Sequence, residues 1–105
     1  MEPASEPQRA GMVEPTRSAL ADAARRTGLP AAQITLLSAE AVTWSDGSLG
    51  CPQFGMMYTQ ALVPGLRIRI RTGTETLDYH ASERGALVLC PPGRSVDPIP
   101  ASGRI

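Results

Sequence analysis

In this 105-residue chain four side chains stand out as candidates for covalent or acid–base chemistry. They are Cys51, Cys90, the single histidine His80, and Asp46 just upstream of the first cysteine. Cys51, His80 and Asp46 make a nucleophile set only if His80 reaches the Cys51 sulfur and lowers its pKa. Two cysteines and one histidine without a C-x-x-C lack the spacing of a zinc site, so neither a metal nor a cofactor is expected. The cysteine pair then has four readings: a disulfide, a metal pair, a nucleophile with a bystander, or two buried thiols. A Cys51–Cys90 bond would close a loop of about 40 residues, worth about 4 kcal/mol on chain entropy. In a reducing cytoplasm it would not persist, and buried thiols are the alternative.

The segment Trp44-Ser45-Asp46-Gly47-Ser48-Leu49-Gly50-Cys51-Pro52 is too rich in Gly and Pro for a regular helix or strand. Asp46 ahead of Gly47 and Ser48 suits an Asx-turn, in which the carboxylate accepts from its own backbone. Trp44 reads as the apolar anchor of the loop. Trp44, Asp46, Cys51 and Cys90 are thus expected to form a structural clasp.

The elements that position these residues follow from periodicity. Pro15 suits a first helical turn, and Ala19, Leu20, Ala23, Ala24 and Thr27 recur on one face. Gly28, Leu29 and Pro30 form a stop signal, so a helix is expected over about Pro15 to Thr27. Ile34 to Trp44 reads as a long strand whose alternation slips near Ser38 to Glu40, as at a bulge. Residues 57–63 read as a second strand and Pro64-Gly65 as a tight turn. Leu66-Arg67-Ile68-Arg69-Ile70-Arg71 is the clearest period-two stretch. Strands at 76–81 and 86–90 complete one N-terminal helix packed on four or five antiparallel strands, an α+β fold.

A four-residue turn at 72–75 sets Arg71 opposite Thr76, Arg69 opposite Asp78 and Arg67 opposite His80. It sets Ile70 against Leu77 and Ile68 against Tyr79 on the helix side. Both faces sort by polarity at once, which a one-residue slip would undo. Continued through Pro64-Gly65, the register gathers Tyr58, Gln60, Arg67, Arg69, Arg71, Asp78 and His80 on one outer face. An exposed Arg69–Asp78 pair contributes a few tenths of a kcal/mol, so Asp78→Ala is expected to change melting little. The last strand is apolar throughout and gives no register.

Composition sets the limits. Residues 1–12 and 91–105 are rich in Pro, Gly, Ser, Glu and Arg and are expected as flexible tails around one domain at 13–90. The formal net charge is zero, and all ten basic residues are arginine, which gives no case for nucleic-acid binding. No apolar run approaches the roughly 20 residues of a membrane helix, and no leader is visible, so the default compartment is the cytoplasm.

Beside this reading, the chain resembles a family of small, functionally uncharacterised bacterial proteins. Their pattern is a tryptophan, D-x-S-L-G-C-P, a Y-T-Q strand, V-P-G, Y-H and a terminal L-C. It is met here by Trp44, Asp46 with Ser48 to Pro52, Tyr58 to Gln60, Val63 to Gly65, Tyr79-His80 and Leu89-Cys90. Phe54 and Leu66 stand where proline and tyrosine are expected. The order of helix and strands is also similar to PepSY and cystatin-like modules, a likeness of architecture alone.

The functional expectation is a non-catalytic binding or interaction module. Its outer sheet face would meet an anionic small molecule or an acidic protein segment, and neither nucleic acid nor membrane. The alternatives are a thiol enzyme or redox protein using Cys51, and a protease-inhibitor-like protein presenting the loop at 45–56.

Overall fold

The structure, a computed structural model, describes residues 6–100. One helix, α1 (Glu6–Thr27), is followed by a short 3-10 turn (Ala31–Gln33) and four strands. These are β1 (Ile34–Trp44), β2 (Val63–Thr72), β3 (Glu75–Ser82) and β4 (Leu87–Cys90). They form one antiparallel sheet in the order β1-β2-β3-β4, with α1 across one face.

The alanine face of α1 lies against the sheet as its composition demands. Ala19 and Ala23 are buried with Leu66, Ile68, Ile70, Tyr79 and Ala81. Small side chains on the helix allow close approach, and the β-branched residues of β2 fill the pleats beneath. Tyr79 crosses between the layers, where its hydroxyl donates to Asp22 Oδ2 on α1 at 2.6 Å. Burial and that bond, which holds the proton on the oxygen, push its pKa up to about 12. Asp22 is held below the ordinary carboxylate range by the hydroxyl of Tyr79 and the guanidinium of Arg26. The helix ends as its stop signal predicts: Gly28 is left-handed at φ 71° and its N–H donates to Ala24 C=O at 2.8 Å.

The register of the central hairpin is the expected one: Arg71 pairs Thr76, Arg69 pairs Asp78, Arg67 pairs His80, Ile70 pairs Leu77 and Ile68 pairs Tyr79. The turn is tighter than expected. Thr72 pairs Glu75, leaving Gly73-Thr74 as a two-residue loop with Gly73 at φ 65°, the sign the first position of a hairpin turn requires. β1 spans the expected residues, and its pairing with β2 shifts between Leu36 and Ser38, beside the expected bulge.

Three expectations are corrected. The helix does not begin at Pro15 but runs through it from Glu6. Proline costs a helix one hydrogen bond, and here it does not end it. Residues 57–63 do not form a strand, and Pro64-Gly65 is not a turn. Val63 to Gly65 are the first residues of β2, paired with Trp44 to Val42. The reason lies in the tryptophan. Its indole passes over Gly65 to donate Nε1–H to Ala81 C=O at 3.0 Å, and a Cβ on Gly65 would run into that carbonyl. Glycine here is bare strand surface, not a corner. Finally, residues 91–100 are tied down by Val96 N–H to Gly50 C=O of the loop after β1 at 2.8 Å and by Ile99 N–H to Thr43 C=O of β1 at 2.9 Å. A pair of side-chain bonds to Arg67 adds to them. Residues 1–5 and 101–105, the outer parts of the expected tails, lie outside the described residues.

Candidate functional site

On the sheet face away from α1, the clasp is built from local turns upward. Asp46 Oδ1 accepts from Ser48 N–H at 2.9 Å and from the Ser48 hydroxyl at 2.6 Å, the expected Asx-turn. Those bonds, the hydroxyl first, hold its carboxyl below the usual range. The chain then reverses through Leu49 and Gly50, at φ 57° and 71°. Gly50 cannot carry a Cβ, which would stand 2.6 Å from the Trp44 ring. Cys51 N–H returns to Ser48 C=O at 3.0 Å, and Cys51 is disulfide-bonded to Cys90 with Cα atoms 5.7 Å apart. Both cysteines and Leu49 are buried. Of the four cysteine readings, the disulfide is the one present.

The β3–β4 register, unreadable beforehand, explains the clasp. Cys90 pairs with Asp78, so it stands on the outer face. Bonding Cys51 to it draws the loop 45–51 across that face and over His80. The expectation of an outward, solvated His80 is therefore corrected: the residue is 0% exposed. Its ring stacks on Trp44, with centroids 4.4 Å and planes 20° apart. Nδ1 stands 2.6 Å from Leu49 C=O, and Nε2 stands 3.1 Å from Asp78 Oδ2 and 3.4 Å from the Ser95 hydroxyl. Both Leu49 C=O and the Asp78 carboxylate are acceptors, so the two bonds form together only when both ring nitrogens carry protons.

Asp78 is the hub. Arg67 donates Nε and Nη2 to its two oxygens at 3.2 and 3.1 Å. The same guanidinium reaches Asp97 at 3.1 Å and Ser95 at 3.0 Å on the C-terminal segment. Burial alone would raise the Asp78 carboxyl. The hydrogen bonds from His80 and Arg67, with their charges, more than offset it and hold the group well below the ordinary carboxylate range. The predicted exposed Arg69–Asp78 pair is a long contact of 4.0 Å; the real partners are Arg67 and His80.

The seven residues expected on the outer face therefore divide. Arg67, Asp78 and His80 share the face but are spent on a buried network, Arg67 being 12% exposed on its side chain. Arg69 and Arg71 remain open to solvent. Tyr58 and Gln60 are elsewhere, in the irregular segment between Cys51 and β2. The nucleophile set does not assemble either. Cys51 is bonded to Cys90, Asp46 is bonded to Ser48, and the carboxylate against His80 is Asp78. Among the described residues no three potential metal ligands converge, and no helix is long and apolar enough to cross a membrane.

Residue typing missed what the clasp holds out. Met56 N–H donates to Gln53 C=O at 3.1 Å, closing a β-turn whose third residue, Gly55, has φ 82°, as a type II turn requires. Phe54 occupies the corner of that turn and is wholly exposed, with Met57 at 94% and Met56 at 58%. The base is tied three times: by the disulfide, by Gln53 N–H to the Tyr58 hydroxyl at 3.0 Å, and by Gly47 N–H to Thr59 C=O at 2.8 Å. The available signal was Q-F-G-M-M, apolar residues around a turn glycine directly after a cysteine.

The chain belongs to a family of domains of unknown function, DUF8738, whose profile matches residues 16–90. No curated protein and no solved structure matches it.

Proposed function

We propose that the protein is a non-catalytic interaction module that presents the 52–57 turn to a protein partner. One observation carries this reading: an aromatic and two methionines stand in solvent on a turn fixed at its base by a disulfide and two hydrogen bonds. Exposed apolar side chains on a soluble surface cost solubility and recur where a partner covers them. Pre-ordering the turn removes part of the entropy lost on binding, and an aromatic anchor flanked by methionine suits a partner's apolar pocket. The disulfide fits work in an oxidising compartment. Reduction of the outer arginine row to Arg69 and Arg71 leaves the sheet face a poorer anion site than the sequence suggests.

Site-specific photo-crosslinking tests this. A photoreactive amino acid at position 54 is expected to trap a discrete partner in host extract, while the same group at position 71 is not. Excess unlabelled protein should compete the product away, and excess Phe54→Ser should not. Equal trapping at both positions, or trapping at position 71 alone, would return the function to the arginine face.

A further inference from the structure

Four methionines and two cysteines carry the sulfur of this chain. The cysteines are buried and already joined, so they offer an oxidant no thiolate. Met12, on α1, is half-buried against the core, and Met1 lies outside the described residues. Met56 and Met57 are different: they stand side by side on the 52–57 turn, 58% and 94% exposed. A thioether needs no deprotonation to act as a nucleophile, so access to the sulfur decides how fast it reacts. From Gly47 to Leu66 the chain carries no charged residue. Contact through the turn therefore draws on apolar area, to which the two thioethers contribute beside Phe54, with no ion pair to fall back on.

We infer that Met56 and Met57 are a reversible oxidation site that switches the turn between a binding and a non-binding form. The inference rests on the interaction role proposed for the turn. The oxidant is a hydroperoxide, hydrogen peroxide being the simplest. A sulfur lone pair attacks one peroxide oxygen, and the S–O bond forms as the O–O bond breaks. The leaving hydroxide takes the proton from the transferred oxygen and departs as water. Sulfur gives up two electrons, and the peroxide accepts them. Each sulfoxide is polar and accepts hydrogen bonds, so placing it in a partner's apolar pocket would strand an unpaired polar group. The fold has no stake in the change, because neither side chain belongs to the core. Methionine sulfoxide reductases, one enzyme per sulfoxide epimer, restore the thioether.

Hydrogen peroxide treatment of the folded, disulfide-closed protein, followed by peptide mass spectrometry, tests the site. Met57 and Met56 should each gain an oxygen several-fold faster than Met12, with Met57 leading, and unfolding in urea should erase the difference. The melting temperature should not move. For the switch, the photo-crosslink from position 54 in host extract is compared before oxidation, after it, and after repair by both reductases. The yield should fall several-fold on oxidation and return on repair. Oxidation of Met12 as fast as the turn pair, a fall in melting temperature, a yield unchanged by oxidation, or a loss that the reductases do not reverse would each overturn the switch. An unchanged yield would leave the interaction reading standing. Absence of any crosslink from the unoxidised protein would remove that reading, and the switch with it.

Discussion

The two faces of the sheet are both covered, by different means. Against α1 the cover is regular: alternating apolar residues of β2 and β3 meet an alanine stripe, and burial area does the work. On the other face alternation supplies Arg67, Asp78 and His80, residues that normally face water. Their cover is a loop and a C-terminal segment with no regular structure, held by a disulfide, an indole stack and a charged network. The first face is specified by local pattern. The second exists only once distant segments meet, so it should be more sensitive to single polar and covalent changes.

The comparison breaks most visibly at the disulfide. Replacing Cys51 and Cys90 together by alanine should cost about 4 kcal/mol, or on the order of 20 °C in melting temperature for a domain of this size. The α1 face should keep its amide-exchange protection in the residual native state. Equal loss of protection on both faces would mean that they form one cooperative unit.

Asp78 comes next. Asp78→Asn leaves a buried guanidinium and a buried imidazole short of their shared anion and should cost about 3 kcal/mol, far more than an exposed ion pair would. The pH dependence has a sign. The folded carboxyl lies below its unfolded value, so its contribution is complete above about pH 4 and drains away as pH falls towards the folded value. Urea unfolding between pH 2 and pH 7 should show a shallower acid limb in Asp78→Asn than in the wild type.

Trp44→Phe keeps most of the apolar contact but loses the Nε1–H bond to Ala81 C=O. It should cost about 1 kcal/mol, the net worth of one buried hydrogen bond. At the bottom of the scale, Arg71→Ala should lie within about 0.5 kcal/mol of wild type by chemical denaturation, since its face of the sheet is open there.

The same contrast explains what could be read beforehand. The helix stop at Gly28, the span of β1, the Ile68–Tyr79 and Arg69–Asp78 pairings and the Asp46 turn all rest on interactions a few residues apart or across one hairpin. His80 was misplaced because alternation reports a side chain's face and is silent on what covers that face. Val63 to Gly65 were misread because proline before glycine signals a corner when nothing shows an indole lying across the glycine. One inference was within reach. Had the β3–β4 register been legible, Cys90 on the outer face together with a Cys51 bond would have forced the loop over His80. A strand apolar at every position hid it.

The central claim is that the buried outer face exists to hold the 52–57 turn still. Backbone ¹⁵N relaxation of the oxidised protein measures this directly. Order parameters for Phe54 to Met57 should match those of the strands, about 0.85, and fall after reduction of Cys51–Cys90. Values below about 0.6 in the oxidised protein would make the turn an ordinary mobile loop and contradict the account.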